Sequence, residues 1–328
     1  MTRARSNPLL LGLNSAPALL FVSVLAVFAV LSPRFFTAAN LANILVQSAS
    51  TGIVAFGMTF VLLTGGVDLS VGAIMFVAAA IAGKLALGGA PLGLALGVIP
   101  LVGMVFGLVN ALFITRLRIA AFIVTLATLY LGRGLALWIT ETRAMNLPSS
   151  FLALGTNKLL GIPLPIWILA GALFAAHVIL TRTPFGRQIY AVGQDLERAR
   201  KAGVRTTFVL AAVYVICGLC AALGGILSLA QLGAVSPTFG ANKEFAAIAA
   251  AVLGGTSLFG GRGKVFPGTI LGAVLIQSVE NGLVILNADP YLYPLVTSAV
   301  IFVAVLTDSL RTALLSTLTR RPIRVEER

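Results

Sequence analysis

The chain repeats one pattern from end to end, in which runs of about 20 apolar residues alternate with short polar connections. A helix of about 20 apolar residues is long enough to cross the hydrocarbon core of a bilayer. Only 10% of the residues are charged, whereas a soluble domain has about 25%. A transmembrane β-barrel would show alternating segments of about 10 residues, and the sequence has none. The pattern therefore predicts an all-α polytopic membrane protein.

Ten segments are long and apolar enough to count as spans, within one transmembrane domain that covers residues 1–328. The first is interpreted as an uncleaved span, because its apolar run exceeds a signal peptide's and no small-residue cleavage site follows. The predicted spans are roughly 9–31, 41–63, 69–88, 92–114, 119–140, 164–181, 207–230, 244–258, 266–286 and 291–308.

The basic residues predict how the chain lies in the membrane. If the N-terminus is cytoplasmic and the ten spans alternate, most of the 23 Lys and Arg residues fall on the cytoplasmic side, as in other membrane proteins. Both termini are then cytoplasmic, with a cytoplasmic loop at 182–206 and a basic tail at 309–328. This arrangement accounts for the net charge of +13, so nucleic acid is not an expected partner.

No set of residues in the sequence suggests an enzyme or a cofactor. Cys217 and Cys220 form a C-x-x-C pair inside an apolar segment, where small packing residues are the expected role. With His177 as the single histidine, no metal site is expected. "GGRGKV" near residue 260 lacks the first glycine and the final Ser/Thr of a phosphate-binding loop. Energy for any transport must come from a partner or an ion gradient.

The stretch "LLTGGVDLSVGA" places Asp68 in apolar surroundings, after Gly65 and Gly66 and before Ser70. Glycines let the backbone leave helical geometry, and Asp68 or Ser70 can cap the next helix. One interpretation is a capped hairpin turn; the other is a broken helix that lines a solute path. "LGGTSLFGG" at 253–261 echoes "TGGVDLSVG" at 64–72 and pairs Gly254 and Gly255 with the first glycines.

Two more segments carry candidate functional residues. Gln277, Glu280 and Asn281 share one helix face by their spacing, which suits either a hydrated pathway or hydrogen bonds that join helices. The outer connection at 141–163 is either a docking surface or a simple connector.

The inner loop at 182–206 predicts a short amphipathic helix, with Asp195 as its cap and Gly203 as its end. Its apolar stripe comprises Leu196, Ala199, Ala202 and Gly203. Such a helix lies on the lipid headgroups or docks on a partner, and the mixed charges favour a partner.

Five blocks together resemble the permease subunits of ribose-type sugar ABC importers, in order from about residue 40 to residue 308. They read "GMTFVLLTGGVDLSVGA", "AAFIVTLATLYLGRGLA", "GRQIYAVGQDLERARKAGV", "AAIAAAVLGGTSLFGGRG" and "GTILGAVLIQSVENGLVIL". The resemblance implies a multi-pass protein of the bacterial cytoplasmic membrane. Its implied partners are a cytoplasmic ATPase, an extracytoplasmic sugar-binding protein and a second permease copy or paralogue.

The resemblance also assigns roles to residues. It implies that the inner loop sits on the ATPase, through Gly193, Glu197, Arg198, Ala199 and Gly203. From the sequence pattern itself, the residues expected to shape or line the path are Asp68, Ser70, Gln277, Glu280 and Asn281, with Gly65, Gly66, Gly254 and Gly255. Two alternatives remain: a permease of the same superfamily for branched-chain amino acids or nucleosides, and a proton-coupled secondary transporter that uses Asp68 and Glu280.

Overall fold

The computed structural model describes residues 16–303 and residue 306, and its regular structure is almost entirely helical. In the first half the helices are α1 (Ala16–Leu31), α2 (Ala38–Leu63), α3 (Val71–Leu87), α4 (Leu92–Thr115), α5 (Ala121–Thr140), α6 (Ser149–Thr156) and α7 (Leu164–Arg182). In the second half they are α8 (Pro184–Gln194), α9 (Leu196–Lys201), α10 (Thr206–Leu232), α11 (Lys243–Leu253), α12 (Ile270–Ile285) and α13 (Leu292–Val303). Two-residue strands complete it: β1 (Met145–Asn146), β2 (Lys158–Leu159), β3 (Ile162–Pro163) and β4 (Ala234–Val235).

Within the described ranges, six helical segments are long and apolar enough to cross a membrane: α2, α4, α5, α7, α10 and the stretch Val265–Ile285 that ends in α12. Helices α1, α3 and α13 contain shorter apolar segments. Three predicted features lie outside the described residues: the start of the first span, the end of the tenth span and the basic tail.

The predicted span 244–258 differs most from the structure. Helix α11 has only 11 residues and ends at Leu253. Eleven residues give a helix of about 17 Å, roughly half of the hydrocarbon core. The prediction was too long at its end because Gly255 takes a left-handed conformation (φ +85°) and stops the helix.

Helices α2 and α3 form the centre of the bundle. On α3 every residue from Val71 to Ala80 is buried, and on α2 burial is continuous from Ser48 to Leu63. A helix that is apolar on all sides is stable only when other protein or lipid surrounds it. Helices α4, α5, α10 and α11 pack around this pair.

Glycines let α4 and α10 approach closely beside the central pair. A Cβ atom at Gly103 would overlap the backbone of Gly218, and one at Gly107 would lie 2.7 Å from the carbonyl oxygen of Tyr214. Small residues at such crossings let membrane helices gain van der Waals contact, since lipid supplies no hydrophobic driving force between them.

The two ends of the bundle are built differently. At one end β1 pairs antiparallel with β4, which ties the connection after α5 to the connection after α10. At the other end lie α8 and α9, between α7 and α10. We call these the outer and inner ends, following the orientation that the basic residues predict.

Candidate functional site

Asp68 lies in a buried turn between α2 and α3. Its side chain is 0% exposed, and its Oδ1 accepts hydrogen bonds from the backbone N–H of Ser70 (2.9 Å) and from the Ser70 hydroxyl (2.6 Å). Ser70 itself makes no side-chain bond to the first turn of α3. The predicted capping role therefore falls to Asp68, which acts through Ser70 rather than directly on the helix.

The sequence analysis missed the next two members of this network. The side-chain amide of Asn110 on α4 donates a hydrogen bond to the Ser70 hydroxyl (2.9 Å). The Thr128 hydroxyl on α5 donates to the side-chain Oδ1 of Asn110 (2.7 Å). All four side chains are buried, so the turn is fixed to two neighbouring helices. Asn110 and Thr128 are both polar residues in otherwise apolar spans, and that was the available signal in the sequence.

The echoed glycine segments end their helices in the same way, although one residue out of the expected register. Helix α2 closes with the N–H groups of Gly65 and Gly66 bonded to the carbonyls of Leu62 and Val61. Helix α11 closes identically through Gly255 and Thr256. Gly65 (φ +78°) therefore corresponds to Gly255 (φ +85°), and not to Gly254 as the sequence match indicated.

Gly254 has a separate role in packing. A Cβ atom there would overlap the backbone of Gly268, just before α12. The glycine thus permits the chain to reverse between α11 and α12, which run side by side.

A row of polar side chains joins α2 to α11 and α12, and we call it the polar seam. Asn40 and Asn281 exchange two amide hydrogen bonds (2.9 and 3.0 Å). Gln277 donates to Gln47 (2.8 Å). The seam then continues on α11, where the Lys243 ammonium donates to the Thr51 hydroxyl (3.0 Å).

The three residues of the predicted polar face on α12 thus lie in different surroundings. Asn281 is buried and joins helices through its amide pair. Glu280 is partly buried and near enough to Lys243 for their charges to attract. Of these three residues, only Gln277 lines the open space beside the seam.

That open space is a cavity of about 520 Å³, which we call the outer cavity because Thr156 and Gln231 lie beside the outer connections. Gln231 is held in place by a hydrogen bond to the backbone of α2 (2.7 Å). The polar residues that line the cavity are Asn43, Gln47, Thr156, Gln231, Lys243 and Gln277. Asp68 and Ser70 do not line it.

The inner loop folds as the two helices α8 and α9, and the predicted caps of the second are confirmed. Asp195 accepts a hydrogen bond from the backbone N–H of Arg198 (2.9 Å), and Gly203 follows the end of α9 with φ +84°. Glu197 and Arg200 form an exposed ion pair (2.7 Å).

The four residues predicted to form an apolar stripe on this loop differ in their surroundings. Only Ala199 is buried, whereas Leu196, Ala202 and Gly203 are exposed. Helix α9 ends at Lys201, so Ala202 and Gly203 follow the helix rather than extend its face.

Gly193, at the end of α8, contacts the inner end of the central helices. A Cβ atom there would overlap the carbonyl oxygen of Leu63, the last residue of α2, and would lie 2.6 Å from the backbone N of Gly261. Tyr190, one turn earlier, donates its hydroxyl to the carbonyl of Gly263 (2.8 Å). Burial raises the pKa of Tyr190, which keeps the hydroxyl protonated as a donor.

Comparison with known proteins agrees with this architecture. The family model described as "Branched-chain amino acid transport system / permease component" matches residues 40–305. The "Ribose import permease protein RbsC" of Bacillus subtilis is 40% identical over 90% of this chain and 92% of its own length. The protein of the same name from Haemophilus influenzae is 36% identical over 88% and 90%.

A third relative, the "D-allose transport system permease protein AlsC" of Escherichia coli, is 35% identical over 88% of this chain and 89% of its own length. No solved structure gives a significant match. From the family model and these relatives, the chain belongs to the family of branched-chain amino acid transport system permease components, multi-pass proteins of the bacterial inner membrane that are not themselves enzymes.

Proposed function

We propose that the chain is the membrane-spanning permease subunit of an ABC importer that moves a monosaccharide into the cell. The observation that carries the proposal is the similarity along about nine-tenths of the chain to proteins named for ribose and D-allose transport. The family description mentions branched-chain amino acids, but these relatives are named for sugars. The sugar is therefore favoured over an amino acid or a nucleoside.

The outer cavity is the part of the structure that best suits a sugar path. Its polar lining is mainly amide, with a hydroxyl and one ammonium, and these groups exchange hydrogen bonds with sugar hydroxyls as readily as with water. We assign Gln277, its partner Gln47 and Lys243 to the path, with Glu280 at its edge.

The remaining predicted path residues have a supporting role in this proposal. Asp68 and Ser70 are sealed in the buried network and shape the turn into α3. Asn281 joins α12 to α2. Neither group needs to contact the sugar for the path to form.

Energy enters at the inner end, where α8 and α9 dock on a separate ATPase subunit. The exposed charges of Glu197 and Arg198 lie on α9, while Gly193 lies against the end of α2. A displacement of this segment by the ATPase therefore reaches the central helices directly. At the outer end the connections around β1 and β4 receive a sugar-binding protein, and a second permease copy or paralogue completes the path.

The test is uptake by cells that lack their own pentose and allose permeases and that express this chain with its ATPase and binding protein. We expect uptake of at least one labelled monosaccharide and none of leucine or a nucleoside. The change Gln277→Leu should raise the KM or alter the ranking of sugars, whereas Asn281→Leu should lower protein stability without changing the ranking. Leucine uptake without sugar uptake would overturn the assignment.

A further inference from the structure

The connection between α11 and α12 carries an exposed apolar pair at the inner end of the bundle. Phe259 is 92% exposed, and Leu258 beside it is 41% exposed. Among the large apolar residues of the described part, Phe259 has the highest exposed fraction. We call residues 256–263 the inner turn.

The inner turn is held in one shape. The backbone N–H of Ser257 donates to the carbonyl of Arg262 (2.8 Å), and the Ser257 hydroxyl accepts from the N–H of Phe259 (3.2 Å). Gly260 and Gly261 have positive φ angles of +86° and +71°, which side chains with a Cβ disfavour. The aromatic ring is therefore presented on a rigid support.

The turn is attached to the bundle's centre and to the proposed ATPase-docking segment. The N–H of Gly261 donates to the carbonyl of Leu63 at the end of α2 (2.9 Å). Tyr190 of α8 donates to the carbonyl of Gly263 (2.8 Å). A Cβ atom at Gly260 would lie 2.7 Å from the carbonyl oxygen of Gly193.

These contacts favour protein over lipid as the neighbour of the exposed Phe259 side chain. Leu63 is fully buried, because α2 is surrounded by other helices. A turn bonded to the inner end of that helix lies beneath the bundle's core rather than at its lipid-facing rim. An exposed aromatic ring on such a turn is stabilised when a partner protein covers it.

We propose that Leu258 and Phe259 form a second contact with the ATPase subunit, beside the contact made by α8 and α9. The inference rests on the proposed function, since it requires the ATPase partner. Buried aromatic side chains commonly anchor protein interfaces, and the exposed Leu196 of α9 lies at the same end of the molecule. Because the turn is bonded to Leu63, this contact gives the ATPase a route to α2 that does not pass through α9.

The experiment introduces a photo-crosslinking amino acid at one position at a time in the assembled transporter. Position 196 reports the docking of α9, position 259 reports the inner turn, and position 174 on α7 is the control, since Phe174 is 71% exposed on a span. We expect crosslinks to the ATPase from positions 196 and 259 and only lipid adducts from 174.

The outcomes separate this inference from the proposed function. A crosslink from 196 alone overturns the second contact and leaves the importer intact. No ATPase crosslink from either position overturns both proposals. A crosslink from 259 to lipid or to a second permease copy also overturns the inference.

An affinity measurement supplies an independent check. Phe259→Ala should weaken ATPase binding in mild detergent by about tenfold or more, as expected for an interface anchor, and Phe174→Ala should not. The exposure of Phe259 means that the variant loses no internal packing, so unchanged ATPase affinity would contradict the inference.

Discussion

Replacing Gly193 by alanine tests most sharply whether the inner loop acts on the central helices. The added Cβ would overlap the carbonyl oxygen of Leu63 and lie 2.6 Å from the backbone N of Gly261. Both neighbours are backbone atoms joined to each other by a hydrogen bond (2.9 Å), so neither can rotate away. The end of α8 must therefore move away from α2.

The size of the effect follows from overpacking. An extra methyl group in a well-packed site destabilises by about 1–3 kcal/mol. If this strain falls only on the state in which α8 contacts α2, it shifts the equilibrium between transporter states by about 5- to 150-fold. Sugar uptake should fall accordingly, while the amount of protein in the membrane stays unchanged.

Two controls separate the contact from the loss of a glycine. At Gly171 on α7 an added Cβ has no heavy atom within 4 Å, so Gly171→Ala should transport normally. Gly203 also has open space but φ +84°, so Gly203→Ala strains only its own backbone, by about 1–2 kcal/mol. Uptake and ATP hydrolysis, each normalised to membrane content, are the assays. Normal coupling in Gly193→Ala, or an equal loss in Gly171→Ala, would refute the reasoning.

Three further predictions concern stability. Asn110→Leu removes the two side-chain hydrogen bonds that join Ser70 and Thr128 through Asn110, and it should lower stability in detergent by about 1–3 kcal/mol, measured by thermal unfolding; an unchanged melting temperature would show that the buried network is unimportant. Asn281→Leu should have a similar effect by leaving the side-chain oxygen of Asn40 without its donor, and Asn40→Leu in the same chain should restore part of the loss. The Lys84 ammonium lowers the pKa of Glu141, so this exposed ion pair stabilises the folded protein above the ordinary glutamate pKa, and that stabilisation is lost as the pH falls through the lowered pKa. Lys84→Met should remove this small pH dependence of stability. An unaltered pH profile in the variant would contradict the prediction.

Local chemistry made part of the architecture predictable. The lengths of the apolar runs indicated where the long helices lie, and Asp195 and Gly203 marked the ends of α9 correctly, because capping depends on one or two neighbouring residues. The end of α11 was missed because apolar residues such as Leu258 continue beyond Gly255, and composition does not reveal which residue takes a left-handed conformation.

The candidate site depended on contacts between residues distant in sequence. Asn110 and Thr128 join Asp68 only because α4 and α5 pack on the turn, and no local pattern reveals that. The Lys243 ammonium reaches Thr51 on α2, and no local pattern links these two residues. Spacing showed correctly that Gln277 and its neighbours share a face, but only the partner helix determines which of them borders a cavity.

The most direct test of the account is the energy source for uptake in proteoliposomes that contain this chain, its ATPase and its binding protein. The account predicts monosaccharide uptake that requires ATP on the side of the inner loop, stops with vanadate and survives a protonophore. Uptake that persists with vanadate and stops with the protonophore would contradict it and would indicate a proton-coupled transporter.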